Sequence, residues 1–168
     1  DGRRQAEREQ EGNQIGVMLG AEVTHLRCAQ EPEAIANALG PIIERVRPDV
    51  AYVPWMLDNH EGHLAVSRAV ARMLEQGTPL GELWCYEVWT PVIPNRLVDI
   101  TAVVDHKMRL LQTYKSQTSQ KDIASMAIGL SRYRGGGLAH KEALAAEAFL
   151  VFSSPDYQAC CRQLVQAV

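Results

Sequence analysis

Short apolar runs alternate with longer helical patterns along most of this 168-residue chain. Strands are predicted at 22–26, 49–53, 83–89, 98–101 and 147–152. Helices are predicted at 3–19, from Pro32 to the residue before Pro48, and at 63–76, 102–115, 121–132, 142–146 and 156–167. Because strands separated by helices usually run in the same direction, this order predicts an α/β domain with a mostly parallel sheet flanked by helices. The length suits a single domain, which we place over residues 1–168.

Composition limits the classes of partner. The formal net charge is −3, so the chain lacks the strong basic field that holds nucleic acid. No apolar run approaches the roughly 20 residues that span a membrane. The four cysteines form no C-x-x-C pair, which predicts free thiols in a reducing compartment, the cytoplasm, and no cysteine-based zinc site. The sequence leaves open whether the chain forms a homo-oligomer.

The turn at 58–63, with the sequence DNHEGH, is the segment best suited to chemistry. It leaves the carboxyl end of the strand at 49–53, where the sites of parallel sheets lie. Its two histidines suit zinc, because neutral imidazole binds zinc and a nearby carboxylate can fix the tautomer. A surface turn with two solvated histidines is the alternative interpretation. The zincin pattern H-E-x-x-H does not fit, since the second histidine comes one residue early.

A series of short motifs accompanies this turn along nearly the whole chain. Asp58, His60 and His63 match the aspartate, first histidine and last histidine of a D-x-H-x-D-H motif. The other matching segments are Arg8-x-x-Glu11 with Leu19-Gly20, Arg47 to Val50, Tyr86 to Pro91, Pro94 to Arg96, Val98 to Thr101, Lys107 with Tyr114 to Gln117, Arg132 to Gly135, and Ala146 to Phe149. In this order they resemble the LmbE/PIG-L family of N-acetylglucosamine deacetylases, which implies a Rossmann-like layered domain.

The resemblance implies a zinc-dependent hydrolase that removes the acetyl group from an amino sugar, carried by a small molecule or a glycan. In that family two histidines and an aspartate hold the zinc ion, and a separate aspartate is the general base. His63 then corresponds to a zinc ligand and His60 to the catalytic acid or oxyanion stabiliser, with Asp58 in the same catalytic motif. Zinc can lower the pKa of bound water to about 7 and polarise the acetamide carbonyl.

Two departures from the family pattern limit this expectation. The family's H-P-D-D-E segment, which supplies the remaining ligands and the base, does not occur in the sequence. We therefore expect a fragment that lacks this segment and its N-terminal strand, and no tight zinc site in the chain as given. The second departure is Gly62, which stands where the family has aspartate. That aspartate would support His60, a role that Asp58 or Glu61 could take over.

Two residues outside the turn are candidates for substrate binding. Arg8 could donate to sugar hydroxyls or a phosphate, or form an ion pair with Glu11 three residues along the helix. Asp99 could be a carboxylate in the pocket, or it could cap the helix predicted at 102–115. A different class of function also stays open. The chain could be a non-catalytic carbohydrate-binding or scaffold module that kept the fold and lost the metal.

Overall fold

The computed structural model describes residues 2–119 and 121–166. The helices are α1 (Gly2–Leu19), α2 (Pro32–Val46), α3 (Glu61–Glu75), α4 (Val104–Thr113), α5 (Lys115–Thr118), α6 (Ile123–Gly135) and α7 (Ser154–Gln166), with a short 3-10 turn at Thr101–Val103. The strands are β1 (Val50–Pro54), β2 (Glu82–Tyr86), β3 (Arg96–Asp99) and β4 (Ala146–Phe152). None of these helices is long and apolar enough to cross a membrane.

The chain divides into two compact units. The first unit holds the chain up to His25 together with Leu97–Glu147, and the second holds Leu26–Arg96 together with the chain from Ala148 onward. The histidine turn lies in the second unit, between β1 and α3.

The strands form one sheet in the order β1-β2-β4-β3. β1 and β2 are parallel, with Tyr52 opposite Trp84, and β2 and β4 are antiparallel, with Cys85 opposite Leu150. The prediction of an α/β fold is confirmed, but the prediction of a mostly parallel sheet is wrong. A single helix, α3, connects β1 to β2, whereas residues 87–145 separate β2 from β4 and contain β3 and three helices. The alternation of helix and strand therefore does not determine the direction in which β4 returns.

The core of the second unit lies where α2 packs against α3. Its buried members are Ile35, Ala36, Ala65, Ala69 and Met73. Those on α2 recur at helical spacing with the partly buried Leu39 and Ile43, so an apolar stripe faces α3. Helix α2 ends where Arg47 adopts a left-handed conformation (φ 46°). The following proline cannot continue the helix, as the sequence predicts.

The strand predicted at 22–26 is not formed; those residues adopt no regular secondary structure. Residues 22–25 instead belong to the first unit with α1, whereas Leu26 packs against the core of the second unit. Ala21 donates its N–H to the carbonyl of Gly16 at 2.9 Å, and the His25 ring lies 2.9 Å from the Asn13 amide oxygen. An apolar run becomes a strand only when a neighbouring strand satisfies its backbone groups, and none of the described strands pairs with it.

The short helix predicted at 142–146 is also not formed. The backbone N–H of Leu144 donates to the Thr101 hydroxyl at 2.8 Å, and the N–H of Ala145 points at the same oxygen at 3.3 Å. These bonds take the place of the intrahelical ones, because a backbone N–H that donates to a distant side chain is not available to a helix.

All four cysteines are free, and burial raises the pKa of three of them, Cys85, Cys160 and Cys161. Burial raises the pKa of Cys85, and the neighbouring thiols of Cys161 and Cys160 raise it further. Burial, followed by the effect of Cys160, raises the pKa of Cys161 to about 11. Since the thiolate is the nucleophile, the raised pKa values of Cys85 and Cys161 make these thiols poorly reactive near neutral pH.

We predict that iodoacetamide at pH 8 labels Cys85 and Cys161 much more slowly in the folded protein than in guanidinium chloride. Timed quenching and peptide mass mapping measure each rate. The partly exposed Cys28 is the internal reference. Equal labelling rates for Cys85 in the folded and unfolded protein would contradict the prediction.

Candidate active site

The candidate site is built on the turn that leaves the carboxyl end of β1. The N–H of Trp55 donates to the carbonyl of Tyr86 at 2.9 Å and extends the contact between β1 and β2 by one residue. Helix α3 then begins at Glu61, with His60 in an extended conformation at its N-cap position. The buried Ser67 hydroxyl lies 2.9 Å from the carbonyl of Pro54, so the first turns of α3 are tied to the end of β1.

Asp58 organises this turn from inside the protein. Its exposed fraction is 2%, and its carboxylate accepts from three backbone N–H groups. The N–H of His60 donates at 3.0 Å, that of Trp89 at 2.9 Å and that of Thr90 at 3.4 Å. The Thr90 hydroxyl in turn accepts from the N–H of Asn59 at 3.2 Å. Asp58 therefore joins the histidine turn to the segment that follows β2.

The ionisation of Asp58 follows from these contacts. Burial raises the pKa of the Asp58 carboxyl. The hydrogen bonds from Trp89, His60 and Thr90, with a smaller effect of His63, act in the opposite direction and together hold its pKa below its ordinary value. Hydrogen bonds to a carboxylate favour the charged form, so Asp58 is a buried anion at neutral pH.

His63 lies directly against this anion. Its Nδ1 is 3.3 Å from Oδ1 of Asp58, but the contact falls outside hydrogen-bond geometry. Nδ1 is thus buried without a hydrogen-bond partner among the described residues. A small rotation of the ring would let a protonated Nδ1 donate to Asp58. The neutral ring would then carry its lone pair on Nε2, which is the arrangement of a histidine that binds a metal with a carboxylate behind it.

His60 is exposed and lies against His63, with the two ring centroids 4.6 Å apart and the planes at 37°. A Cβ at Gly62 would be 3.2 Å from Cε1 of the His60 ring. The glycine therefore leaves room for His60 to lie over the start of α3. Asp58 supports His60 through its backbone N–H rather than through its ring.

Zinc needs three or more protein ligands in the sites that hold it tightly. Among residues 2–119 and 121–166, no group of three histidine, cysteine, aspartate or glutamate side chains is placed to hold a metal ion. The buried Nδ1 beside Asp58 makes His63 suitable for one ligand position. The described residues alone do not form a complete zinc site.

Arg8 and Asp99 belong to the first unit, whereas Asp58, His60 and His63 are brought together in the second. Arg8 is exposed on α1. Glu11, the partner suggested for Arg8 as an alternative, is buried and accepts from the N–H and hydroxyl of Ser116 at 2.8 and 2.6 Å.

Asp99 is exposed at the end of β3. Its Oδ1 accepts from the N–H of Thr101 at 2.8 Å, at the start of the 3-10 turn that leads into α4. Its Oδ2 lies 3.3 Å from Nε2 of His140. The hydrogen bonds from Thr101 lower the pKa of Asp99. Asp99 therefore bonds the first residue of the 3-10 turn, whereas the N-cap positions of that turn and of α4 are held by Ile100 and Val103.

Sequence reasoning missed three contributors to the turn. The backbone N–H groups of Trp89 and Thr90 carry no side-chain signal, and Thr90 lies 31 residues from its partner Asn59. Gln30 is the third: its Oε1 lies 3.7 Å from the position of a Cβ at Gly62. No motif marks Gln30, since only the fold brings it beside α3.

The fold defines an α/β protein with a mixed sheet, a class whose members include enzymes of different chemistry. No protein-family model matches this sequence, and no curated protein sequence matches it.

Solved structures do match. The conserved protein TT1542 from Thermus thermophilus is 26% identical with a TM-score of 0.69, over 86% of this chain and 72% of that protein. The N,N'-diacetylchitobiose deacetylase from Pyrococcus horikoshii is 15% identical with a TM-score of 0.65, over 90% of this chain and 65% of that one. GalB, the 4-carboxy-2-hydroxymuconate hydratase from Pseudomonas putida, is 19% identical with a TM-score of 0.62, over 87% of this chain and 71% of that protein. Because the deacetylase and the hydratase are less than 20% identical to this chain, the similarity to them concerns the fold alone.

Proposed function

We propose that the protein is a zinc-dependent hydrolase that removes the acetyl group from an N-acetylglucosamine-type amino sugar. The observation that carries the proposal is His63, placed at the carboxyl end of β1 with the buried anion of Asp58 behind its Nδ1. A carboxylate in this position orients an imidazole ligand and increases its basicity. The motifs similar to LmbE/PIG-L deacetylases and the fold shared with a diacetylchitobiose deacetylase support this choice.

Each residue of the turn has a defined part in this proposal. His63 holds one position of the metal ion, and Asp58 positions His63 rather than contacting substrate. His60 lies beside His63 and is exposed, so it can donate a proton to the leaving amine or stabilise the oxyanion. A bound zinc ion would supply an activated water and a polarised carbonyl.

In this proposal the remaining zinc ligands come from polypeptide other than the described residues. The free edge of β1 is where a strand of that polypeptide would pair. Among the described strands, β1 is at the end of the order, so one of its edges pairs with no other described strand. An open strand edge is a template for another strand. A strand paired in parallel with β1 would end beside the histidine turn, where its following loop could reach the metal.

A shared fold does not determine the reaction, as the hydratase neighbour illustrates. The experiment is a deacetylation assay of the protein expressed from its complete gene, with N-acetylglucosamine and N,N'-diacetylchitobiose as substrates. We expect release of acetate that EDTA abolishes and added zinc restores. Binding of these sugars without any acetate release would favour the non-catalytic carbohydrate-binding module. Turnover that is insensitive to EDTA would exclude the metal-dependent mechanism.

A further inference from the structure

A cleft of about 420 Å³ lies in the first unit, lined by α1 on one side and by α4 and α5 on the other. The residues that line it all belong to this unit, whereas the histidine turn belongs to the second. The volume is in the range of sites that hold small molecules, but such sites are mostly apolar. Every side chain that lines this cleft is polar, which points to a hydrophilic ligand.

The two walls of the cleft carry opposite charges. The acidic wall, on α1, holds the carboxylates of Glu7 and Glu11, and the basic wall, on α4 and α5, holds the guanidinium of Arg109 and the ammonium of Lys115. Among residues 2–119 and 121–166, neither cation forms an ion pair with either carboxylate. The charges of the two walls therefore do not neutralise each other by direct contact.

The two carboxylates of the acidic wall differ in their partners. Glu11 is buried and accepts from the N–H and hydroxyl of Ser116, so it is already bonded within the protein. Glu7 is exposed, and its side chain bonds to none of the described residues. Glu7 is therefore the carboxylate of this wall that a ligand cation can contact directly.

Three carboxamides contribute to the rest of the lining, those of Gln10 and Gln14 on α1 and of Gln112 on α4. Each is exposed, and its side chain forms no hydrogen bond with another described residue. A carboxamide has two donor hydrogens and an acceptor oxygen. It can therefore pair with both the C=O and the N–H of a peptide group.

The charges of the walls select the kind of ligand. A simple anion is attracted by the basic wall and repelled by the acidic one, and a simple cation the reverse. A ligand with an ammonium group at one end and a carboxylate at the other meets a complementary charge on each wall. A single amino acid carries both groups on one carbon atom, whereas a dipeptide separates them by one further residue, roughly 3.5 Å of extended chain.

We propose that this cleft binds a short peptide, with the N-terminal ammonium at Glu7 and the C-terminal carboxylate at Arg109 and Lys115. A guanidinium can donate two parallel hydrogen bonds to a carboxylate, and the carboxamides of the cleft pair with the peptide group. This site does not depend on the proposed deacetylation, because none of its residues belongs to the histidine turn.

The first test is an NMR titration of the whole chain with glycylalanine. N-acetylglycylalanine lacks the ammonium group of this probe, and glycylalaninamide lacks its carboxylate. We expect either cap to weaken binding by about three- to fivefold, the upper range for an ion pair in contact with solvent. Alanine should bind more weakly than glycylalanine, because its two charges are too close together to reach both walls.

The basic wall is tested with the double variant Arg109→Gln/Lys115→Gln. Glutamine forms helices about as well as arginine and lysine, so the variant should fold. We expect weaker binding of glycylalanine and of N-acetylglycylalanine, and unchanged binding of glycylalaninamide. Arg132→Gln/Lys141→Gln is the matched control, because both residues are exposed in the same unit and do not line the cleft.

The acidic wall is tested with Glu7→Gln, which should show the opposite selectivity. Binding of glycylalanine and of glycylalaninamide should weaken, and binding of N-acetylglycylalanine should not. The control is Glu142→Gln, at an exposed position of the same unit outside the cleft.

Three results would overturn the proposal. The first is no binding of glycylalanine, or binding that neither wall variant changes. The second is equal binding of glycylalanine and N-acetylglycylalanine, which would indicate a simple anion site. The third is binding of alanine as tight as that of the dipeptide, since separated charges would then not be required.

Discussion

Replacing Asp58 with alanine is expected to lower the free energy of unfolding by about 3 to 5 kcal/mol. The substitution leaves the backbone N–H groups of His60, Trp89 and Thr90 without their acceptor in a buried place. It also removes the anion beside His63. Urea denaturation followed by tryptophan fluorescence measures the loss. Asp49→Ala is the matched control, because Asp49 is exposed in the same unit, and it should change stability by less than about 0.5 kcal/mol.

The pH dependence provides a second test of the same carboxylate. The pKa of Asp58 in the folded protein is below its ordinary value of 3.8, so ionised Asp58 stabilises the fold at pH values above 3.8. That contribution is lost as the pH falls from there through the lower pKa of the folded state. The stability difference between the wild type and Asp58→Asn should therefore be constant near neutral pH and shrink below about pH 4. A difference that stays constant down to pH 2 would show that the charge of Asp58 is not involved.

In the protein expressed from its complete gene, replacing His63 with alanine is expected to lower both metal occupancy and deacetylase activity by more than about 100-fold, since losing even a residue that orients a ligand costs 10- to 100-fold. The reason is that His63 is the imidazole in the turn with a buried carboxylate at Nδ1. Metal content is measured by mass spectrometry after dialysis, and activity by acetate release. His140→Ala is the control, because His140 is exposed in the other unit.

His60→Ala separates the two histidine roles. If His60 acts as an acid and not as a ligand, this variant keeps its metal and loses turnover. A His63→Ala protein with unchanged metal content and activity would refute the ligand assignment.

Local patterns predicted the elements that surround the site, because they depend on residues close in sequence. Pro32 and Pro48 mark the limits of α2, and the apolar residues of that helix recur at the spacing of one face. The run at 49–53 became β1 with a shift of one residue. The segment at 22–26, whose apolar residues are Val23 and Leu26, failed as a strand, because a strand also needs a neighbour.

The same contrast between local and long-range contacts applies to the candidate active site. The sequence by itself determined that two histidines and a carboxylate follow β1 in one turn, since their spacing of a few residues brings them together. Only the tertiary structure decided that Asp58 is a buried acceptor for the N–H groups of Trp89 and Thr90, 31 and 32 residues away. It also decided the antiparallel direction of β4 and placed Gln30 beside Gly62. These contacts join distant parts of the chain, and their geometry is set by packing and by the need to pair buried backbone groups.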